Sequence, residues 1–181
     1  GKDTFASGGE GTGDLFNAGE VRTYGLETSL GVDGSAFVDM GSFNLPIRAN
    51  YTYTSSEFQN AFSSSFEPWG DVKVGDEVPY IPSHQLSLGI ALEDPRWRVG
   101  LDGSYVAEMR TRAGQGDIPD NEATDARFLL DASARYSLSN TTQAFVSVQN
   151  ITDKEYISAR RPAGVRPGLP RRLTAGIRVS L

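Results

Sequence analysis

The feature that most restricts the fold of this chain is a two-residue alternation of apolar and polar side chains, sustained over stretches of about ten residues. Phe128, Leu130, Ala132, Ala134, Tyr136 and Leu138 share one parity, while Asp131, Ser133, Arg135 and Ser137 share the other. Successive side chains of a β-strand point to opposite faces, so this pattern makes one greasy face and one wet face. The same split separates Leu173, Ala175, Ile177, Val179 and Leu181 from Arg172, Thr174, Arg178 and Ser180. It separates Leu86, Leu88, Ile90 and Leu92 from Gln85 and Ser87, and Trp97, Val99, Leu101, Tyr105 and Met109 from Arg98, Asp102, Ser104 and Glu108. Leu45 to Tyr53 and Ala144 to Val148 behave alike, with Phe145 out of step, and Glu20 to Asp33 shows a weaker version.

About seven strands result, most of them long enough for the ~9–11 residues a tilted strand needs to cross a bilayer core. The connections alternate in length. Gly34 to Asn44, Glu93 to Pro95 and Ser139-Asn140 are the shorter set, and Asn60 to Ile81, Thr111 to Asp125 and Ile151 to Pro170 the longer. Short periplasmic turns and long extracellular loops are the habit of outer-membrane barrels. The expectation is therefore an all-β, antiparallel transmembrane β-barrel. The last strand would run toward the periplasm and Gly1 to Asn17 would lie outside the cell. Seven strands with ends on opposite sides suit a part of a barrel, because bacterial single-chain barrels have even strand counts. An eighth strand between Asp3 and Phe16 would make a complete small barrel instead, but the glycines there disfavour it. A soluble β-sandwich binding module is the other reading. Trp97, Tyr105, Tyr51, Tyr53, Phe128 and Tyr136 sit near strand ends on the apolar face, where a membrane barrel carries its aromatic girdles.

Composition narrows the function. Lys and Arg total 17 against 23 Asp and Glu, a net charge of −6, which disfavours nucleic acid as a partner. There is no cysteine, which removes disulfides and thiolate metal sites. The first residues, Gly1-Lys2-Asp3-Thr4, have no apolar export signal.

Four motifs carry a family resemblance. Asn150-Ile151-Thr152-Asp153-Lys154-Glu155-Tyr156 resembles the N-L-x-D-K-x-Y element of TonB-dependent receptors, and Gly168-Leu169-Pro170-Arg171 resembles their closing G-x-P-R. Pro79 to Leu86, with Pro82 and His84, is similar to their P-x-x-P-x-H approach to a strand, and Gly25-Leu26-Glu27 to their recurring G-x-E. The resemblance implies that residues 1–181 are the C-terminal part of a plugged barrel of about 22 strands, whose plug and earlier strands lie elsewhere. It implies outer-membrane localisation, contact with lipid and lipopolysaccharide, and TonB acting through the plug. The segment Arg160-Arg161-Pro162 to Arg171 further resembles the ferric citrate and siderophore branch, implying a ferric siderophore or ferric citrate as transported ligand. Leu181 stands where the family usually ends on an aromatic residue.

The candidate ligand site follows from charge. Arg160, Arg161, Arg166, Arg171 and Arg172 crowd one loop that has no acid between Ser158 and Arg172. Guanidinium forks match carboxylate or phosphate oxygens, and Pro162, Pro167 and Pro170 stiffen the segment. Arg160, Arg161 and Arg166 are the expected ligand contacts, with Trp69 supplied by the loop Asn60 to Ile81. The competing reading is structural pairing or contact with lipopolysaccharide phosphates. Asp117, Asp120, Asn121, Glu122 and Asp125 offer oxygens of a kind that suits Ca²⁺, but a solvated acidic loop explains them. His84 is the sole histidine and reads as structural. No nucleophile elbow or phosphate-binding loop is present, so no enzyme and no cofactor is expected.

Overall fold

A computed structural model describes residues 2–3, 16–17, 19–161 and 163–180. Seven long strands form one sheet: β1 (Val21–Asp33), β2 (Pro46–Phe58), β3 (His84–Glu93), β4 (Trp97–Val106), β5 (Arg127–Ser137), β6 (Thr142–Gln149) and β7 (Arg172–Val179). Their order across the sheet is their order in the chain, and each is antiparallel to the next. The sheet is open, with β1 and β7 as its edges. Residues 34–45, 94–96 and 138–141 make the connections at one end, and 59–83, 107–126 and 150–171 those at the other. Most of Gly1 to Asn17, including the segment weighed as an eighth strand, lies outside the described residues. Lys2–Asp3 and Phe16–Asn17 form a two-stranded ladder of their own. No helix among the described residues is long and apolar enough to cross a membrane.

The register carries the alternation across the whole sheet. Val32, Ile47, Ile90, Leu101, Ala132, Val148 and Leu173 form one continuous cross-strand row, and Leu92, Val99, Ala134, Val146 and Ala175 form the next. These rows are not buried: Leu101 is 44% exposed and Leu173 69%. The few buried apolar side chains include Phe58, Val72, Ala107 and Met109, and these lie at or beyond the long-loop ends of the strands. A soluble sandwich would cover such a face with a second layer. Among the described residues no layer covers it, as a lipid-facing wall requires.

The aromatic residues fall into two belts. Trp97 pairs with Tyr136 at the short-turn end, where Phe43 also meets Trp97 at 5.5 Å between centroids. Tyr51, Tyr105 and Phe128 lie along one row toward the long-loop end, and Tyr53 pairs with His84 one row further. His84 sits on this apolar face, its Nδ1 2.8 Å from the Tyr51 hydroxyl, consistent with a structural role.

The opposite face is polar and charged. Arg48 approaches Asp102 at 4.0 Å, and Arg98 pairs with Glu93 at 2.5 Å. Phe145 does lie on this face: it stands opposite Gly176, where an added Cβ would come within 2.7 Å of the ring. The out-of-step residue therefore marks a local ring-over-glycine contact, not a break in the strand.

β2 ends at Phe58, just before the loop expected from Asn60, held by β1 through the Val21–Phe58 pair on one side and by the Gly75 and Asp76 backbone on the other. One strand limit differs from that read in the sequence. β4 stops at Val106 rather than Met109, whose amide and carbonyl bond Thr124 instead of a sheet neighbour.

Asn150 explains the motif it opens. It holds a positive φ of 50° and is 3% exposed. Its Nδ2 donates to the Lys154 and Leu169 carbonyls, and its Oδ1 accepts from the Lys154 amide. Its own amide donates to Asp131 Oδ1. One side chain thus ties the start of the last long loop to the approach of β7. Within that loop Gly168 lies directly beneath the Tyr156 ring, leaving no space for a side chain.

Two outcomes test these assignments. Leu101→Arg, on the exposed apolar row, should destabilise the folded barrel by about 2–4 kcal/mol in bilayer-folding titrations, whereas Ser104→Arg on the polar face should cost far less. Equal costs would contradict the face assignment. Asn150→Ala strands buried partners and should cost roughly 2–3 kcal/mol, with new proteolytic cleavage between residues 151 and 171.

Candidate functional site in the extracellular loops

The three long loops fold onto one another above the sheet. In residues 59–83, Phe62–Ser63 pairs with Asp71–Val72. Trp69 meets Phe58, Phe62 and Phe66 edge-on, at 6.0, 5.8 and 5.4 Å between centroids. The edge-to-face arrangement and the burial of Phe58, which is 1% exposed, make this a small local core.

The loop 107–126 is stitched to it. Arg110 is 5% exposed, its Nε bonding Glu77 Oε2 at 2.6 Å and its Nη2 bonding the Gly116 carbonyl at 2.7 Å. The Glu77 amide donates to Gly114 O, and the Ala113 amide to Pro68 O. Thr111 and Thr124, 0% and 1% exposed, close the base of the loop through Glu122 O and the Met109 amide.

The loop 150–171 docks on both. Ile157–Ala159 pairs with Arg166–Pro167, and Asp125 exchanges bonds with the Ile157 amide and carbonyl. Tyr80 joins all three loops. Its amide donates to Arg110 O, while its hydroxyl accepts from the Arg161 amide at 2.8 Å and donates to Arg161 O at 2.9 Å. It does so from a positive φ of 63°, a strained conformation for a bulky residue. Sequence reading gave Tyr80 no role, since the partners of its hydroxyl lie 80 and 81 residues away and only its place between two prolines was visible.

The arginines of the last loop divide into two groups. Arg160 turns away, its Nε to Ala123 O at 2.5 Å and its Nη2 to Asp120 O at 2.8 Å. Arg171 pairs with Asp153, and Arg172 bonds Gln149. Arg161 and Arg166 instead line a cavity of about 320 Å³ together with Trp69, Phe66, Pro68 and Tyr80. Of the expected contacts, then, Trp69, Arg161 and Arg166 come together around one space, and Arg160 braces the loop against its neighbour. Arg161 is paired with Glu67 and Arg166 Nη2 reaches Arg161 O at 3.4 Å.

A larger cavity of about 540 Å³ lies against β2 and is lined by Glu77, Glu108, Asp117 and Asp120. Its carboxylates would repel an anion. Among the described residues no three acidic or histidine side chains converge as a cation would require; Glu122 faces Arg112 at 3.5 Å, and Asp125 accepts from Ile157.

Comparison with known proteins agrees with this architecture. Residues 2–151 match the family model described as TonB dependent receptor-like, beta-barrel. The chain is 26% identical over 146 residues to a probable TonB-dependent siderophore receptor, PiuA, of Acinetobacter baumannii, covering 78% of this chain and 18% of that protein. Its fold matches the closed form of Fiu, the ferric-catecholate import receptor of E. coli K12, with a TM-score of 0.63 at 18% identity, over 95% of this chain and 23% of Fiu. It also matches the unliganded ferric citrate transporter FecA, with a TM-score of 0.67 at 21% identity, over 87% of this chain and 24% of FecA. The chain thus spans about a fifth to a quarter of the length of these relatives. The matched residues include Trp69 and Tyr80 but stop before Arg161 and Arg166, so the arginines of the cavity lie outside the family match. With a match over most of its length and an open wall of antiparallel strands facing lipid, this chain belongs to the TonB-dependent receptor β-barrel family of the bacterial outer membrane.

Proposed function

We propose that residues 1–181 are the C-terminal part of the barrel domain of a receptor that takes up an anionic ferric chelate, a ferric siderophore or ferric citrate, by a TonB-energised route. The observation that carries the reading is the cavity between the first and third long loops, with Trp69 on one side and Arg161 and Arg166 on the other. The names of the relatives support ferric cargo in general: a siderophore receptor, a ferric-catecholate importer and a ferric citrate transporter. Fold alone does not fix cargo, and the local chemistry does the narrowing. Two guanidinia favour carboxylate or catecholate oxygens, and the indole offers a flat apolar wall.

In this reading each part has a distinct task. The sheet is barrel wall, its apolar face against lipid and its charged face toward the lumen. The loops capture cargo at the extracellular mouth. TonB acts through a plug that occupies the lumen, and the aromatic belt near Tyr51 and Tyr105 meets lipopolysaccharide. Arg160 contributes by holding the last loop against residues 120–123, not by touching ligand.

Removing both cavity arginines, as Arg161→Ala with Arg166→Ala, should weaken binding of ferric citrate or a ferric tris-catecholate to the full-length receptor by at least about tenfold, the scale of one or two charged hydrogen bonds. Arg172→Ala, whose guanidinium bonds Gln149, should leave affinity within about twofold. Equilibrium titration by intrinsic fluorescence measures both. Unchanged affinity in the double variant would overturn the site.

A further inference from the structure

We infer that Glu67 is an internal competitor for the ligand site: its carboxylate occupies Arg161 in the empty receptor and is displaced when an anionic chelate binds. The inference rests on the reading of the Trp69–Arg161–Arg166 cavity given above.

Three observations combine. First, the backbone of Arg161 is fixed. The Tyr80 hydroxyl bonds both its amide, at 2.8 Å, and its carbonyl, at 2.9 Å, so Arg161 cannot withdraw from the cavity wall. Second, its guanidinium is largely buried and only partly satisfied. Nη1 bonds Glu67 Oε1, while Nε is buried with no hydrogen-bond partner among the described residues. A buried, half-satisfied guanidinium is costly, so a stronger partner on its reachable nitrogens is favoured over a single carboxylate oxygen. Third, the present partner is replaceable. The Glu67 side chain is 50% exposed against 20% for Arg161, so Glu67 recovers hydration on release while Arg161 does not.

The two positions also belong to different loops. Glu67 lies two residues before Trp69 in the loop 59–83, and Arg161 lies in the loop 150–171. A chelate that offers two oxygens to the Nη1–Nη2 end of the guanidinium takes Nη1 from Glu67 and forms the bidentate contact that a single Glu67 oxygen does not. It would reach Arg161 from the cavity that Trp69 borders. Glu67 therefore sets specificity by charge: only a ligand with negative oxygens to replace it gains the guanidinium, and a neutral ligand leaves the pair closed.

The test compares Glu67→Gln, Arg161→Ala and the double variant in the full-length receptor. Ferric citrate and a ferric tris-catecholate serve as anionic probes, and a neutral ferric trihydroxamate as the uncharged one. Glu67→Gln should tighten binding of an anionic probe by about three- to tenfold, since the probe no longer displaces a carboxylate from Arg161 and a like charge is gone from the site. The gain should vanish in the Arg161→Ala background, and the neutral probe should show no gain. If Arg161→Ala weakens anionic binding but Glu67→Gln leaves it unchanged or weaker, the competitor role is overturned and the site stands. If neither substitution matters, or no anionic probe binds the unaltered receptor, the site itself falls and this inference with it.

Discussion

In a hydrocarbon medium a peptide group has no water to bond, so each strand of a membrane-spanning sheet depends on its neighbours for every amide and carbonyl. The sequential antiparallel meander from β1 to β7 meets that demand with the shortest possible pairing path. β1 and β2 pair over the full thirteen residues of each strand, from Val21 with Phe58 to Asp33 with Pro46. Face segregation rests on this ladder. Because the register is held, Ile47, Ile90 and Leu101 share one side while Arg48, Asp102 and Asp131 share the other. The same logic makes the free edges of β1 and β7 the places where a closed wall must continue.

The short turns are built to keep that register. Asp94 Oδ1 accepts from the Arg96 and Trp97 amides and so sets the tight link between β3 and β4. Asn44 and Glu93 exchange both backbone bonds, joining that link to the turn before β2. At the other end the non-glycine residues with positive φ, Tyr80, Asn150 and Asp153, all lie in loop anchors. Among the described residues, positive-φ backbone outside glycine thus falls at the points that hold the long loops in place. The ordered loops owe their shape to these anchors and to the aromatic core around Phe58.

The wall was legible in the sequence because its chemistry is periodic. Lipid on one side and water on the other impose the same rule on every strand, so Leu101 and Asp102 announce their faces by parity alone. Even Phe145, which broke the rule, was visible as an exception; what parity did not reveal was its partner, Gly176. The limit of β4 was misjudged where a loop residue, Thr124, replaces the sheet as the hydrogen-bond partner of Met109. The site was only half legible. Arg160 and Arg161 are adjacent and chemically identical, yet one bonds carbonyls at 120 and 123 and the other fronts the cavity. The choice is made by contacts of high sequence separation, Tyr80 above all, and no local pattern encodes them.

The unbroken register of the wall also dictates where this chain is free to change over evolutionary time. A one-residue insertion within β4 would turn Leu101 inward and set Asp102 against lipid, and every later residue of the strand would invert with them. Strand lengths are thus under strong purifying constraint against insertion and deletion. The segments 59–83, 107–126 and 150–171 carry no such parity and can lengthen, shorten or recombine without disturbing the wall. Change would be expected to enter by loop exchange on a fixed frame, with the anchors at Tyr80 and Asn150 as the joints across which a transplanted loop must fit.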